Sequence, residues 1–288
     1  MFKIAVASGK GGTGKTFVST NLYQTFIEYG INAVLTDCDA EEPNAASFFK
    51  TELIESKQVT QKVPQIDSSK CLFCGKCQDW CAYNAILIIK ERGLSRVMEE
   101  LCHGCGACSV ACENGAITEK EMLLGEVINF SDNSGCKIVE GRLKVGVYTP
   151  VPVLKRAINS TYADLAIFDS PPGTSCPFIH TVNASDYVIL VTEPTPFGLN
   201  DLKLSVEILQ KMGRPFSVII NRAGLGNRVV HDYLKRENIE LIMEIPFDKE
   251  IASAYSKGKL AVSGRPLLAA KFSSLARKLT DKIGGIAL

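Results

Sequence analysis

Residues 9–16, with the sequence GKGGTGKT, have the spacing of a phosphate-binding loop. Glycines let backbone N–H groups turn towards phosphate oxygens, and a following helix adds the positive end of its dipole. Lys15 is expected to reach the β- and γ-phosphates of a nucleotide, and Thr16 to ligate Mg²⁺. A functionless glycine-rich turn is the alternative, which a preceding strand and a following helix argue against. The predicted nucleotide contacts are Gly9, Lys10, Gly11, Gly12, Thr13, Gly14, Lys15 and Thr16.

Three aspartates stand at the ends of strand-like runs, where helix capping is the alternative role for any one of them. Asp37 and Asp39 lie within TDCDAEEPN, and Asp169 ends DLAIFD. The carboxyl ends of neighbouring parallel strands face one crevice, so these side chains are expected beside the phosphate loop. Asp169 suits a Walker-B role at Mg²⁺, and Thr16 and Asp39 are assigned to the same ion. Asp37 and Asp39 are also expected to position or activate the attacking water.

Eight of the eleven cysteines form two runs with the spacing C-x₂-C-x₂-C-x₃-C. CLFCGKCQDWCAYNAI from Cys71 aligns without a gap with CHGCGACSVACENGAI from Cys102, so the segment is an internal repeat. Bacterial ferredoxins have this spacing, and the fourth cysteine of each run ligates the other run's cluster. Zinc, which also takes four cysteines from C-x₂-C pairs, is the alternative. We predict one [4Fe–4S] cluster on Cys71, Cys74, Cys77 and Cys112, and a second on Cys102, Cys105, Cys108 and Cys81.

The composition is that of a globular protein of 288 residues, with 46% hydrophobic and 22% charged residues. A net charge of +1 gives no general affinity for nucleic acid or acidic membranes, and no nucleic-acid partner is expected. The N-terminus does not read as a signal peptide, and no apolar run reaches the roughly 18 residues of a membrane span. Many cysteines without an extracellular context indicate metal chemistry and a cytoplasmic location.

Short, continuous apolar runs alternate with helical patterns, as in a parallel sheet covered by helices on both faces. This predicts an α/β fold with a doubly wound, mostly parallel sheet, formed by residues 1–62 and 119–288. Residues 63–118 do not follow this alternation of strand and helix patterns. They are predicted to form an inserted small α+β, ferredoxin-like domain. The predicted strands are KIAVAS from Lys3, NAVLTD from Asn32, LKVGVY from Leu143, DLAIFD from Asp164, DYVILVT from Asp186, FSVIIN from Phe216 and LIMEIP from Leu241.

Lys10 together with Lys15, the stretch DCDAEEPN and the stretch FDSPPG resemble the deviant Walker motifs of the MinD/ParA/Mrp family of P-loop ATPases. The resemblance covers the whole α/β part and implies a P-loop NTPase of the SIMIBI type. It implies that ATP is bound and hydrolysed in a homodimer, where Lys10 reaches the partner subunit's phosphates. The predicted catalytic residues are Lys10, Lys15, Asp37, Asp39 and Asp169.

The same resemblance indicates where the adenine base is held, in segments similar to IINRAG and EIPFDKEI. Strand-end capping and packing are the alternative roles for these residues. ATP rather than GTP is implied by the resemblance. The predicted base contacts are Asn221, Arg222, Pro246, Phe247 and Asp248.

Two modules in one chain favour an ATPase switch coupled to electron transfer or metallocluster assembly with a partner protein. One alternative is a MinD/ParA-type positioning or partition ATPase in which the clusters are structural. Another is a plain electron carrier, which the complete phosphate loop argues against. The C-terminal helical stripe Phe272, Leu275, Leu279 and Ile283 is expected to pack on the sheet, so membrane binding is not expected.

Overall fold

The computed structural model describes residues 1–132 and 135–283 of the chain. They belong to two compact units. The first unit comprises Met1–Lys57, Val127–Arg142 and Val153–Leu288, and the second comprises Gln58–Glu126 and Leu143–Pro152. The second unit holds all eight cysteines of the two runs. That residues 63–118 form a ferredoxin domain stays a prediction.

In chain order, the strands are β1 (Phe2–Ala7), β2 (Ala33–Asp37), β3 (Glu52–Ile66), β4 (Ile86–Ile89), β5 (Leu94–Val97), β6 (Ile117–Ser131), β7 (Lys137–Leu143), β8 (Leu165–Asp169), β9 (Tyr187–Thr192), β10 (Phe216–Ala223) and β11 (Leu241–Pro246). The α-helices are α1 (Lys15–Glu28), α2 (Lys76–Asp79), α3 (Ala107–Ala111), α4 (Val151–Asn159), α5 (Cys176–Asn183), α6 (Pro196–Lys211), α7 (Val229–Arg236), α8 (Lys249–Ser256) and α9 (Pro266–Ile283). Short 3₁₀ turns lie at Ala45–Phe48, Lys90–Arg92 and Glu99–Leu101.

The main sheet has the strand order β11-β10-β9-β1-β8-β2-β7-β6-β3. Every pair from β11 to β7 in this order is parallel. The predicted α/β fold with a mostly parallel sheet is therefore confirmed. Its central strands are continuous apolar runs because they are buried on both faces: Ile4 to Ala7 and Leu165 to Phe168 have no exposed surface.

One predicted strand, LKVGVY from Leu143, is wrong. The strand there is β7, KIVEGRL, and it ends at Leu143 rather than beginning there. Beyond it the chain turns, with Gly146 at φ +88° and Val145 fully exposed, so the apolar letters of this stretch do not reach a core. The long strands β3 and β6 were not predicted, because their many charged residues hide a β pattern.

Helix α1 packs against α9 inside the first unit. Phe17 of α1 meets Phe272 of α9 edge to face, with ring centroids 6.1 Å apart. Phe272, Leu275 and Leu279 are buried, so this part of the C-terminal stripe packs inside the unit; the side chain of Ile283 lies outside the described residues. Among the described residues, no helix is long and apolar enough to cross a membrane.

In the second unit, residues that are aligned in the sequence repeat have similar backbone conformations. Phe73, Gly75 and Asn84 have positive φ, and so do the three residues aligned with them, Gly104, Gly106 and Gly115. The short helices α2 and α3 begin after the aligned glycines, Gly75 and Gly106. Strands β4 and β5 form an antiparallel pair. A small core joins both halves and contains Cys77, Ile86, Cys108 and Ile117.

Candidate functional site

The phosphate loop lies between β1 and α1, and packing explains two of its glycines. Gly14 has φ +99°, and a Cβ atom there would lie 2.3 Å from Asn221 Nδ2. A Cβ atom on Gly9 would lie 2.4 Å from the carbonyl oxygen of Asp201. The Asn221 amide donates to the carbonyl oxygen of Thr13 at 2.8 Å, which ties the end of β10 to the loop. Close backbone approach and left-handed geometry therefore both require glycine.

Asp169 lies at the carboxyl end of β8, fully buried beside the start of α1. The side chains of Thr16 and Ser19 lie close to its carboxylate and lower its pKa, which opposes the effect of burial. Burial is the main reason that its pKa is raised to about 6. Among the described residues, its Oδ1 atom has no hydrogen-bond partner. A buried carboxylate oxygen without a partner, next to the Thr16 hydroxyl, is a donor set that fits Mg²⁺.

Both carboxylate oxygens of Asp37 accept hydrogen bonds from the backbone that follows it. Oδ1 accepts from the Asp39 N–H at 3.0 Å, and Oδ2 accepts from the N–H groups of Asn44 and Ala45 at 2.8 and 2.9 Å. Burial and the charge of Asp169 raise the pKa of Asp37, while these bonds oppose the rise. The geometry gives Asp37 the task of shaping the loop that carries Asp39. A water-positioning role for either residue stays a prediction.

Asp39 is only half buried and lies in the field of Lys15. Burial raises the pKa of the Asp39 carboxyl, and the Lys15 ammonium opposes that rise. Lys15 itself is buried at the start of α1. The structure thus brings Thr16, Lys15, Asp39 and Asp169 together around one crevice, as the strand-end argument predicted.

Sequence reasoning missed Glu193, which holds two of the predicted site residues. Glu193 directly follows β9, is almost fully buried, and forms ion pairs with Lys10 and Arg222. Arg222 has a left-handed backbone at φ +55°, unusual for a residue with a side chain. The signal was available: Glu193 is another acidic residue at the carboxyl end of a buried strand, the rule that located the three aspartates.

A large pocket lies beside the glycine loop and is lined partly by Gly12 and Gly14. It encloses about 860 Å³, including volume open to solvent. The five predicted base contacts all line it, although base contact itself stays a prediction. Sequence reasoning missed the α1 and α8 side chains that complete it, and Tyr255 of α8 packs edge to face on Phe17. The lining residues are Gly12, Gly14, Phe17, Asn221, Arg222, Pro246, Phe247, Asp248, Ile251, Ala252 and Tyr255.

The eight cysteines of the second unit separate into two pockets of four. One pocket, of about 350 Å³ including solvent, is lined by Cys71, Cys74, Cys77 and Cys112. The other, of about 390 Å³, is lined by Cys81, Cys102, Cys105 and Cys108. These are the two sets predicted from the ferredoxin spacing, each with its fourth cysteine from the other run. We name them the first and the second cysteine pocket.

Backbone N–H groups already point at the cysteine sulfur atoms. Phe73 N donates to Cys71 Sγ and Gly104 N to Cys102 Sγ, both at 3.4 Å. At the end of each run, Ala85 N donates to Cys81 Sγ and Ala116 N to Cys112 Sγ, both at 3.3 Å. Such bonds stabilise thiolates and tune cluster potentials.

Within residues 1–132 and 135–283, no three His, Cys, Asp or Glu side chains converge as ligands of a single metal ion.

The fold and the phosphate loop define a P-loop nucleotide-binding protein. A family model described as the CobQ/CobB/MinD/ParA nucleotide-binding domain matches residues 4–262, so the chain belongs to that family. The structure is similar to the septum site-determining protein MinD of Pyrococcus horikoshii, which was solved with Mg-ADP. The TM-score is 0.61 at 20% identity, over 98% of this chain and 97% of that one.

Curated relatives match nearly the whole chain. An uncharacterized protein of Methanocaldococcus jannaschii is 32% identical over 269 residues, which are 90% of this chain and 91% of the relative. An iron-sulfur cluster carrier protein of Pyrococcus furiosus is 23% identical over 306 residues, covering 98% of this chain and 86% of the relative.

Proposed function

We propose that this protein is an ATP-hydrolysing dimeric switch coupled to an iron–sulfur module that serves electron transfer or metallocluster assembly with a partner protein. One observation carries the proposal. The eight cysteines of a chain from the MinD/ParA family separate into two four-cysteine pockets with the crossed ligand sets of bacterial ferredoxins. A switch without a redox or cluster-handling task has no need of such a module.

In the nucleotide crevice, backbone N–H groups of the glycine loop and the N-terminus of α1 bind phosphate oxygens. Lys15 neutralises charge on the β- and γ-phosphates. Thr16, Asp169 and Asp39 hold Mg²⁺, which supplies charge stabilisation at the transferring phosphoryl group. Asp39, on the loop shaped by Asp37, orients the attacking water.

Lys10 completes the crevice of a partner subunit. A cation at the transferring phosphoryl group stabilises developing charge, as an arginine finger does. In the single chain Lys10 is paired with Glu193, so this ion pair must open before Lys10 can serve a partner. Dimer formation and hydrolysis are thereby linked to one side chain.

In the second unit, the two sets of four cysteines hold two [4Fe–4S] clusters, which supply one-electron transfer when bound. Burial raises the pKa of the Cys77 and Cys108 thiols, and cluster binding requires their thiolates. The name of the Pyrococcus furiosus relative, an iron-sulfur cluster carrier, supports a role with iron and sulfur.

The test is anaerobic reconstitution with iron and sulfide, followed by metal counting and EPR with and without MgATP. We expect two clusters per chain, and a cluster signal that changes with MgATP. Zinc with no cluster signal would overturn the proposal, as would ATP turnover that is identical in oxidised and reduced protein.

The positioning or partition switch is the second candidate, because solved MinD structures share the fold. It predicts ATP-dependent association with liposomes or DNA. Co-sedimentation with each, with and without ATP, separates the two candidates: sedimentation only in ATP favours the positioning switch.

A further inference from the structure

The two cysteine pockets are built by aligned residues, yet their outer walls differ. Tyr83 and His103 line the second cysteine pocket. The residues aligned with them in the other half of the repeat are Asn114 and Leu72, and these line the first cysteine pocket. The repeat thus places one pair of side chains at equivalent positions of each pocket.

Only one of these pairs is stacked. The Tyr83 and His103 rings lie parallel, with centroids 3.7 Å apart and an interplanar angle of 14°. Both side chains are exposed at the surface of the second unit, so the stacked pair forms a part of the pocket wall that also faces solvent. At the first cysteine pocket, Leu72 and Asn114 are also exposed, and neither has a ring that could stack.

Several other features of the two pockets match. Each has one buried cysteine, Cys77 or Cys108, at aligned positions. Each has two aligned N–H···S bonds, as described above. Each also has one exposed ion pair, Lys76–Glu113 at the first pocket and Lys62–Glu119 at the second. The linings also differ at Ile88 and Lys76 of the first pocket, which align with Glu119 and Ala107 of the second. In the exposed wall, the stacked ring pair is the difference between the two pockets.

We propose that the Tyr83–His103 pair is a cover that retains the second cluster and leaves the first cysteine pocket as the exchangeable site. This inference rests on the two clusters of the proposed function. Loss of iron from a cluster requires an attacking ligand to reach it, and a stacked aromatic pair must separate before the ligand can pass. Leu72 and Asn114 move independently and offer no such barrier.

The probe is the release of iron to excess ferrous chelator from the anaerobically reconstituted full chain, followed by absorbance. The parent protein is expected to lose iron in two phases of equal amplitude, because stacking slows one site by about two- to tenfold. Cys105→Ser should remove the slow phase and Cys74→Ser the fast phase, which assigns each phase to a pocket.

The repeat supplies matched variants in which the walls are exchanged. Tyr83→Asn with His103→Leu should speed the slow phase until the two phases merge. Leu72→His with Asn114→Tyr should slow the fast phase. Iron content and circular dichroism before release verify that each variant is folded and loaded.

A single phase of iron release in the parent protein would overturn the proposal that Tyr83 and His103 cover the second cluster. Two phases that neither double variant alters would also overturn it. These results leave the proposed function intact, since both clusters are then present. A chain that takes up no cluster iron overturns the proposed function and the cover together.

Discussion

Lys10 Nζ lies 3.5 Å from Glu193 Oε2, and the same carboxylate pairs with Arg222 at the rim of the large pocket. One buried acid therefore pairs with both the lysine that we propose acts in a partner subunit and the arginine that is predicted to contact the base. The pairing restrains Lys10 within its own chain, so we expect Glu193 to oppose dimer formation until nucleotide is bound.

Glu193→Gln should make dimerisation easier. The substitution removes the charge that attracts Lys10 and keeps the shape of the side chain. A partly exposed ion pair is worth about 1 kcal/mol, so the ATP concentration at half-maximal dimer should fall about fivefold. Light scattering across an ATP titration measures this midpoint concentration. Glu207→Gln, which breaks the exposed pair with Lys211, is the control; a higher midpoint in Glu193→Gln would contradict the restraint.

Alanine substitutions of the two lysines of the phosphate loop should have different effects. Lys15→Ala is expected to weaken ATP binding at least tenfold, or about 1.4 kcal/mol, because the phosphates lose a direct cation. Lys10→Ala should bind ATP as a monomer but dimerise poorly and hydrolyse at least tenfold more slowly. Calorimetry and turnover assays separate these effects. Parental turnover in Lys10→Ala would rule out the dimeric switch.

Gly14→Ala should lose both stability and nucleotide binding. The new Cβ atom would meet Asn221 Nδ2 at 2.3 Å, in addition to the strain of φ +99°. Gly30→Ala is the matched control, because its φ is +76° and a Cβ atom there meets nothing within 4 Å. The control should cost about 1–2 kcal/mol of unfolding free energy, and Gly14→Ala more. Equal losses in urea titrations would show that the Asn221 contact is unimportant.

The buried Asp169 carboxyl predicts a pH dependence in metal-free protein. Its pKa is about 6 when folded and about 3.9 when unfolded, so the folded state binds the proton more tightly. With EDTA present, unfolding free energy should therefore fall as pH rises from about 4 to 6. Asp169→Asn should flatten this dependence, raise the melting temperature at pH 7.5 and abolish Mg²⁺-dependent turnover. Asp232→Asn, at an exposed position of α7, should retain the parental profile.

Residue spacing located most of the candidate sites, because their chemistry is local. GKGGTGKT places a loop of N–H groups wherever the strand and helix lie. The cysteine spacing anticipated both four-cysteine sets, including the exchange of Cys81 and Cys112 between the runs. Strand positions were predicted less well. The apolar run after Leu143 is a turn, and strand β3, which has many charged residues, was not predicted.

From the sequence alone came the family motifs, the parallel α/β fold and the two cysteine sets, since each depends on short-range pattern and hydrophobic burial. Only the tertiary structure brought Glu193 to Lys10, turned Asp37 towards its own loop, and stacked Tyr83 on His103. These contacts join segments that are distant in sequence or depend on side-chain direction. Neither periodicity nor spacing encodes which side chains meet across such distances.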